Sequence, residues 1–118
     1  MNDILQQLTD TLQQRRNADP ASSYVAQLHA AGADKILEKV GEEAIEAILA
    51  AKGLQQAGEQ ANQVAEKSAL IGETADLWFH TLVMLQHFDC SAQEVLEELA
   101  RRMGTSGLEE KARRGDQA

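Results

Sequence analysis

Two short acidic patterns hold the residues most able to do chemistry. Lys39-Val40-Gly41-Glu42-Glu43-Ala44-Ile45-Glu46 contains Glu-Glu-x-x-Glu, and Glu73-Thr74-Ala75-Asp76 contains Glu-x-x-Asp. If each pattern lies on a helix, residues three apart project about 60° from one another, so Glu43 and Glu46 share one face and Glu73 and Asp76 another. Antiparallel packing of the two helices then brings these carboxylates to one place. Converging anions repel, and burying them uncompensated is costly, so the pattern calls for a polyvalent cation. Oxygen-only donors select a hard ion, Mg²⁺ or Mn²⁺.

Exposed glutamate pairs are common on solvated helices, so the surrounding residues must supply the weight. Winding Ile36 to Ala51 on a wheel gathers Ile36, Leu37, Val40, Ala44, Ala47, Ile48 and Ala51 in one sector. Ile45 and Leu49 form a second stripe, and Glu43 and Glu46 lie between the two. From Thr74 to Phe88 the only carboxylate is Asp76, set among Leu77, Trp78, Phe79, Leu82, Val83, Met84 and Leu85. A helix apolar on nearly all sides is expected to be buried, and a carboxylate within it needs a partner.

The rest of the chain reads as the scaffold for these two helices. Ala and Leu are abundant, β-branched residues are sparse, and the aromatics are Tyr24, Trp78, Phe79 and Phe88 alone. That balance predicts an all-α fold, and 118 residues suit a single domain, 1–118, of four to five helices. Asn2 or Asp3 can cap a first helix bearing Ile4, Leu5, Leu8 and Leu12 on one face, which ends before Pro20. Ser22 or Ser23 can cap a short helix with Tyr24, Val25 and Leu28 that stops near Gly32. Asp34 is placed to cap the first acidic helix, from about Lys35 to Lys52. Gly53 to Gln63 reads as a loop or frayed helix, and the second acidic helix runs from about Val64 to Phe88. Ser91-Ala92-Gln93-Glu94 has capping-box spacing and starts a further helix with Val95, Leu96 and Leu99 inward.

A formal net charge of -8 argues against sequence-independent binding to nucleic acid or to an anionic membrane, both of which need a basic surface. Local cations or bound metal must meet any anionic substrate. The single cysteine, Cys90, reads as a small apolar residue near a helix end and fits a reducing, cytoplasmic setting. Neither a secretory leader nor a membrane span is read in the chain. The segment 101–114 reverses the charge trend with Arg101, Arg102, Lys111, Arg113 and Arg114. Within it, Gly104-Thr105-Ser106-Gly107 is a turn whose backbone N–H groups can hold a phosphate. Lys35, Lys39 and Arg113 are further candidate phosphate contacts. His80 follows Asp76 by one helical turn, as a partner behind the metal ligands or as a satisfied core histidine; His29 and His87 belong to no constellation.

Taken together, Lys39–Glu46, the run Glu73-Thr74-Ala75-Asp76-Leu77-Trp78-Phe79-His80, the Ser23-Tyr24-Val25 segment and the tail Ser106-Gly107-Leu108-Glu109-Glu110-Lys111-Ala112-Arg113-Arg114 resemble the phosphoribosyl-ATP pyrophosphatase family. The wider MazG-like all-α nucleotide pyrophosphatases share the acidic patterns alone. The resemblance implies Mg²⁺-dependent hydrolysis of phosphoribosyl-ATP to phosphoribosyl-AMP and pyrophosphate, the second step of histidine biosynthesis. It implies Glu43, Glu46, Glu73 and Asp76 as metal ligands, with Glu42 holding a second ion or orienting and deprotonating the attacking water. It also implies a homodimer, which the apolar girth of the second helix independently suggests, because four or five helices cannot cover it. A house-cleaning nucleoside triphosphate pyrophosphatase would use the same carboxylates with a different specificity pocket. A non-enzymatic helical dimer is the more distant alternative. A carboxylate-bridged iron bundle is disfavoured because Glu-x-x-His does not occur in the chain.

Overall fold

A computed structural model describes residues 3–57, 63–104, 111–112 and 114–115. The elements are α1 (Ile4–Arg16), α2 (Tyr24–Ala31), α3 (Ala33–Ala57), α4 (Gln63–His87) and α5 (Ala92–Arg102), with no strand among the described residues. The all-α expectation therefore holds.

α3 and α4 are each 25 residues long and form the spine of the molecule. They run antiparallel: Gly53 of α3 lies against Glu66 of α4, and farther along the pair Glu43 lies against Asp76. One end of this pair is closed by a core of Leu12, Val25, Leu28, Ile36, Leu82, Val83 and Ala92, so every helix contributes to it. Leu5, Leu8, Phe79, Met84 and Leu85 pack around that core. Full burial of a side chain such as Leu12 or Ile36 contributes about 2 kcal/mol, which makes this end the anchor of the fold.

Local signals set the short elements. The Ser23 side chain caps α2 by accepting from the Ala26 backbone N–H at 3.2 Å. Gly32 ends it at φ 102°, ψ 178°, a conformation that essentially only glycine adopts. Ser91 and Glu94 form the expected capping box of α5. α1 is fastened to the end of α4 by Arg16, whose Nη1 donates to the Gln86 carbonyl at 2.8 Å, and by Gln86, whose amide donates to Thr9 O and Gln13 Oε1.

Four expectations are corrected. α3 begins at Ala33, so Asp34 sits inside the first turn, where its charge suits the helix dipole, and is not the cap. The first acidic helix does not end near Lys52 but continues through Gly53 to Ala57, so the start of the Gly53 to Gln63 stretch is helix and not loop, and 58–62 lie outside the described residues. Within one chain α4 is buried on one side only: Val83 is fully buried, whereas Trp78 is 60% exposed and Ile71 and Val64 also face outward. Val95, Leu96 and Leu99 are not inward; they are more than two-fifths exposed and line an apolar groove with Leu5, Trp78 and Leu85. Cys90 follows α4 and is exposed.

Candidate active site

Midway along the α3–α4 pair the two acidic patterns meet. One carboxylate oxygen each from Glu43, Glu73 and Asp76 lies within 4.8 Å of the others. The helical period does this: Glu43 faces α4 from the buried side of α3, and Glu73 and Asp76 are one turn apart on the facing side of α4. Glu43 is only 7% exposed, Glu73 half-buried and Asp76 exposed, so the group opens from the helix interface toward solvent. Glu46 is exposed beside them and is not one of the converging three, although its charge reaches the Glu43 and Glu73 carboxyls.

The electrostatics are those of an uncompensated site. Burial, then the neighbouring Glu46 carboxyl, push the Glu43 carboxyl above its ordinary value. Glu73 is raised by the same causes, with the charges of Asp76 and Glu43 added. Glu43 Oε2 and Glu73 Oε2 are buried with no hydrogen-bond partner. Buried carboxylate oxygens ordinarily have donors, so two orphans on residues of one acidic group are what a cation could satisfy. The donor set is all oxygen, which fits a hard divalent ion.

Around this group the other acidic and basic residues divide. Lys39 Nζ lies 3.2 Å from Glu42 and 3.7 Å from Glu43, which puts one cation at the edge of the cluster. That hydrogen bond holds the exposed Glu42 carboxyl below its ordinary value and raises Lys39. Glu42 is turned to Lys39 and is not among the converging three. Lys35 pairs with Glu38 on the exposed side of α3. Ser106, Gly107 and Arg113 lie outside the described residues.

His80 supplies the wall behind the cluster. Its Nδ1 lies 2.8 Å from the Asp76 carbonyl, and its Nε2 lies 2.8 Å from the Tyr24 hydroxyl. A carbonyl only accepts, so Nδ1 carries the proton, and in the neutral ring Nε2 accepts from Tyr24. His80 is therefore a satisfied, buried histidine that ties α2 to the backbone of Asp76. The Tyr24 phenol is raised mainly by burial; Lys39 opposes this, while Glu43, Glu42 and Asp76 add to it. The Tyr24–His80 link was not evident from spacing, since 56 residues separate the partners. A second unforeseen pair is His29–His87, with Nδ1 atoms 3.0 Å apart and rings stacked beneath Arg16.

Comparison with known proteins places the chain in a family. The family model described as phosphoribosyl-ATP pyrophosphohydrolase matches residues 5–103. The phosphoribosyl-ATP pyrophosphatase of Burkholderia multivorans is 51% identical over 112 residues, covering 95% of this chain and 87% of the relative. Those of Burkholderia cenocepacia and Burkholderia vietnamiensis are 51% and 50% identical with the same coverage. Both acidic patterns lie inside the matched residues, and the chain belongs to the phosphoribosyl-ATP pyrophosphohydrolase family.

Proposed function

We propose that this chain hydrolyses the α-β phosphoanhydride of phosphoribosyl-ATP, giving phosphoribosyl-AMP and pyrophosphate as the second step of histidine biosynthesis. The observation that carries the reading is the pair of orphaned oxygens, Glu43 Oε2 and Glu73 Oε2, at the meeting of α3 and α4. The names of the relatives supply the substrate.

Glu43, Glu73 and Asp76, with Glu46 beside them, are the residues to hold a divalent ion, Mg²⁺ in preference and Mn²⁺ as a substitute. Such an ion neutralises phosphate oxygens and lowers the pKa of water. In the hydrolysis one P–O bond of the anhydride breaks, a water oxygen forms a new bond to phosphorus, and a water proton is released. Glu42 borders the cluster through Lys39, which places it to take that proton or to carry a second ion; the lowered carboxyl makes it a weaker base and suits the second role better. Lys39 can neutralise a phosphate oxygen at the cluster edge. Lys35, the Ser106-Gly107 turn and Arg113 are further candidates for phosphate contact, as cations or backbone donors that would offset the acidic site.

We also propose a homodimer, with a second copy covering the outward faces of α3 and α4. Val64, Ile71 and Trp78 recur every seven residues and so form one exposed stripe on α4, while Ile45, Ile48 and Leu49 form another on α3. A cytoplasmic location goes with the biosynthetic role and with the free Cys90. No helix among the described residues is long and apolar enough to cross a membrane.

The test is pyrophosphate release with Mg²⁺, comparing phosphoribosyl-ATP with a panel of nucleoside triphosphates. Preference for phosphoribosyl-ATP is expected. Preference for a free triphosphate would replace the substrate, and no release from intact, metal-loaded protein would overturn the enzymatic reading.

A further inference from the structure

A separate pocket is linked to the acidic cluster through two side chains, Tyr24 and His80. It encloses about 420 Å³ and is lined by Arg15, Ser22, Ser23, Tyr24 and Phe79. Tyr24 joins the two places: it walls the pocket, and its hydroxyl meets His80, which meets the backbone of Asp76. The Tyr24 and Phe79 rings stack with centroids 6.3 Å apart and planes at 18°, making a rigid apolar side.

The polar side is cationic. Arg15 and Arg16 are adjacent, yet only one is engaged. Arg16 donates to Gln86 O and pairs with Asp89, whereas the Arg15 guanidinium makes no hydrogen bond or ion pair among the described residues. Ser23 Oγ accepts from Ala26 N, which leaves its own hydrogen free to donate. No carboxylate is among the lining residues, in a chain of net charge -8, and Asp19 of the same loop accepts from the Ala21 backbone N–H. A guanidinium with a fork of unused donors is matched to a phosphate, which it can bind in bidentate fashion.

Phosphoribosyl-ATP differs from ATP by an appended ribose that carries its own phosphate, at the opposite end of the molecule from the anhydride. A site that cleaves the anhydride among carboxylates needs a separate cation for that second phosphate. We infer that the Arg15 pocket takes this phosphate-bearing sugar and that Arg15 is the residue that distinguishes phosphoribosyl-ATP from a free triphosphate. The inference rests on the reaction proposed above. The stacked Tyr24 and Phe79 rings form the apolar wall for the sugar, and the volume falls within the range of small-molecule sites.

The experiment compares wild type, Arg15→Ala and Arg15→Lys in two assays. In steady-state pyrophosphate release, Arg15→Ala lowers the ratio of kcat/KM for phosphoribosyl-ATP to that for ATP by at least about 10-fold, as loss of a charged hydrogen bond should, mainly through KM. Arg15→Lys recovers part of the loss. An unchanged ratio in Arg15→Ala overturns the inference. The second assay is calorimetric titration with ribose 5-phosphate, without turnover. Binding that Arg15→Ala abolishes, in a wild type inactive on phosphoribosyl-ATP, would overturn the proposed reaction and leave the sugar-phosphate pocket standing. Binding that Arg15→Ala retains would overturn the pocket. Arg15 is exposed at the end of α1, so unfolding is not the expected cause of any loss, and an unchanged melting temperature checks this.

Discussion

Glu43 of α3 and Glu73 of α4 present carboxylates to each other across a helix interface, and each keeps one oxygen buried without a donor. Replacing either by Gln removes a repelled charge, so the metal-free protein should become more stable while Mg²⁺-dependent turnover collapses. The activity loss should exceed about 100-fold, the upper end of what losing a partner behind a metal ligand costs. Melting temperature without metal and pyrophosphate release with it are the two readings. A variant that melts lower and keeps its activity would contradict the cation site.

The same pair sets a pH dependence. Both carboxyls titrate above their ordinary value of 4.5 in the folded chain, so between 4.5 and that raised value the folded state binds more protons than the unfolded one. Stability of the metal-free protein is therefore lost through this group as pH rises from 4.5. Saturating Mg²⁺ should flatten that slope and release protons on binding, which thermal melts across pH and proton-release calorimetry can follow.

His29 works in the opposite direction. Burial, then the charges of Arg16 and His87, hold it below its ordinary value of 6.5. The folded state thus resists protonation, so this contribution is present above 6.5 and lost as pH falls below it. His29→Gln should make the protein less acid-sensitive below 6.5 and leave the metal-linked slope in place.

Tyr24→Phe removes the hydroxyl that His80 Nε2 accepts from and leaves a buried ring nitrogen without a donor. The cost should be about 1 kcal/mol, or about 4 °C in Tm for a domain of this size, because the phenol itself is partly exposed. An unchanged melt would mean that the Tyr24–His80 bond adds nothing to the fold.

Trp78→Asp puts a charge in the middle of the exposed α4 stripe. In sedimentation at micromolar concentration it should shift the chain from dimer to monomer, while the circular dichroism of the helices persists. A wild type that sediments as a monomer with full activity would contradict the proposed dimer.

Sequence periodicity made the helices and the meeting of Glu43 with Glu73 and Asp76 legible, because both depend on one fixed geometric period. It failed where tertiary contacts decide. Asp34 has the type of a cap, but Gly32 ends α2 so abruptly that α3 starts at Ala33, two residues before the expected Lys35. Val95, Leu96 and Leu99 have the spacing of an inward face, but periodicity cannot say whether an inward face is covered by its own chain. The His80–Tyr24 and His29–His87 pairs join residues 56 and 58 apart, and no local pattern carries such contacts.

The shallow seating of α5 gives the molecule two rates of opening. α5 packs on α1, buries only Ala92, and draws its order from its own Ser91–Glu94 box and from the Arg101 and Arg102 bonds to Glu98. Its amide hydrogens should exchange with solvent through local detachment, on a timescale set by the helix itself. Those of α3 and α4 around Ile36 and Val83 should exchange only when the whole fold is lost. A hydrogen-exchange map would then separate a slow spine of α3 and α4 from a fast outer helix.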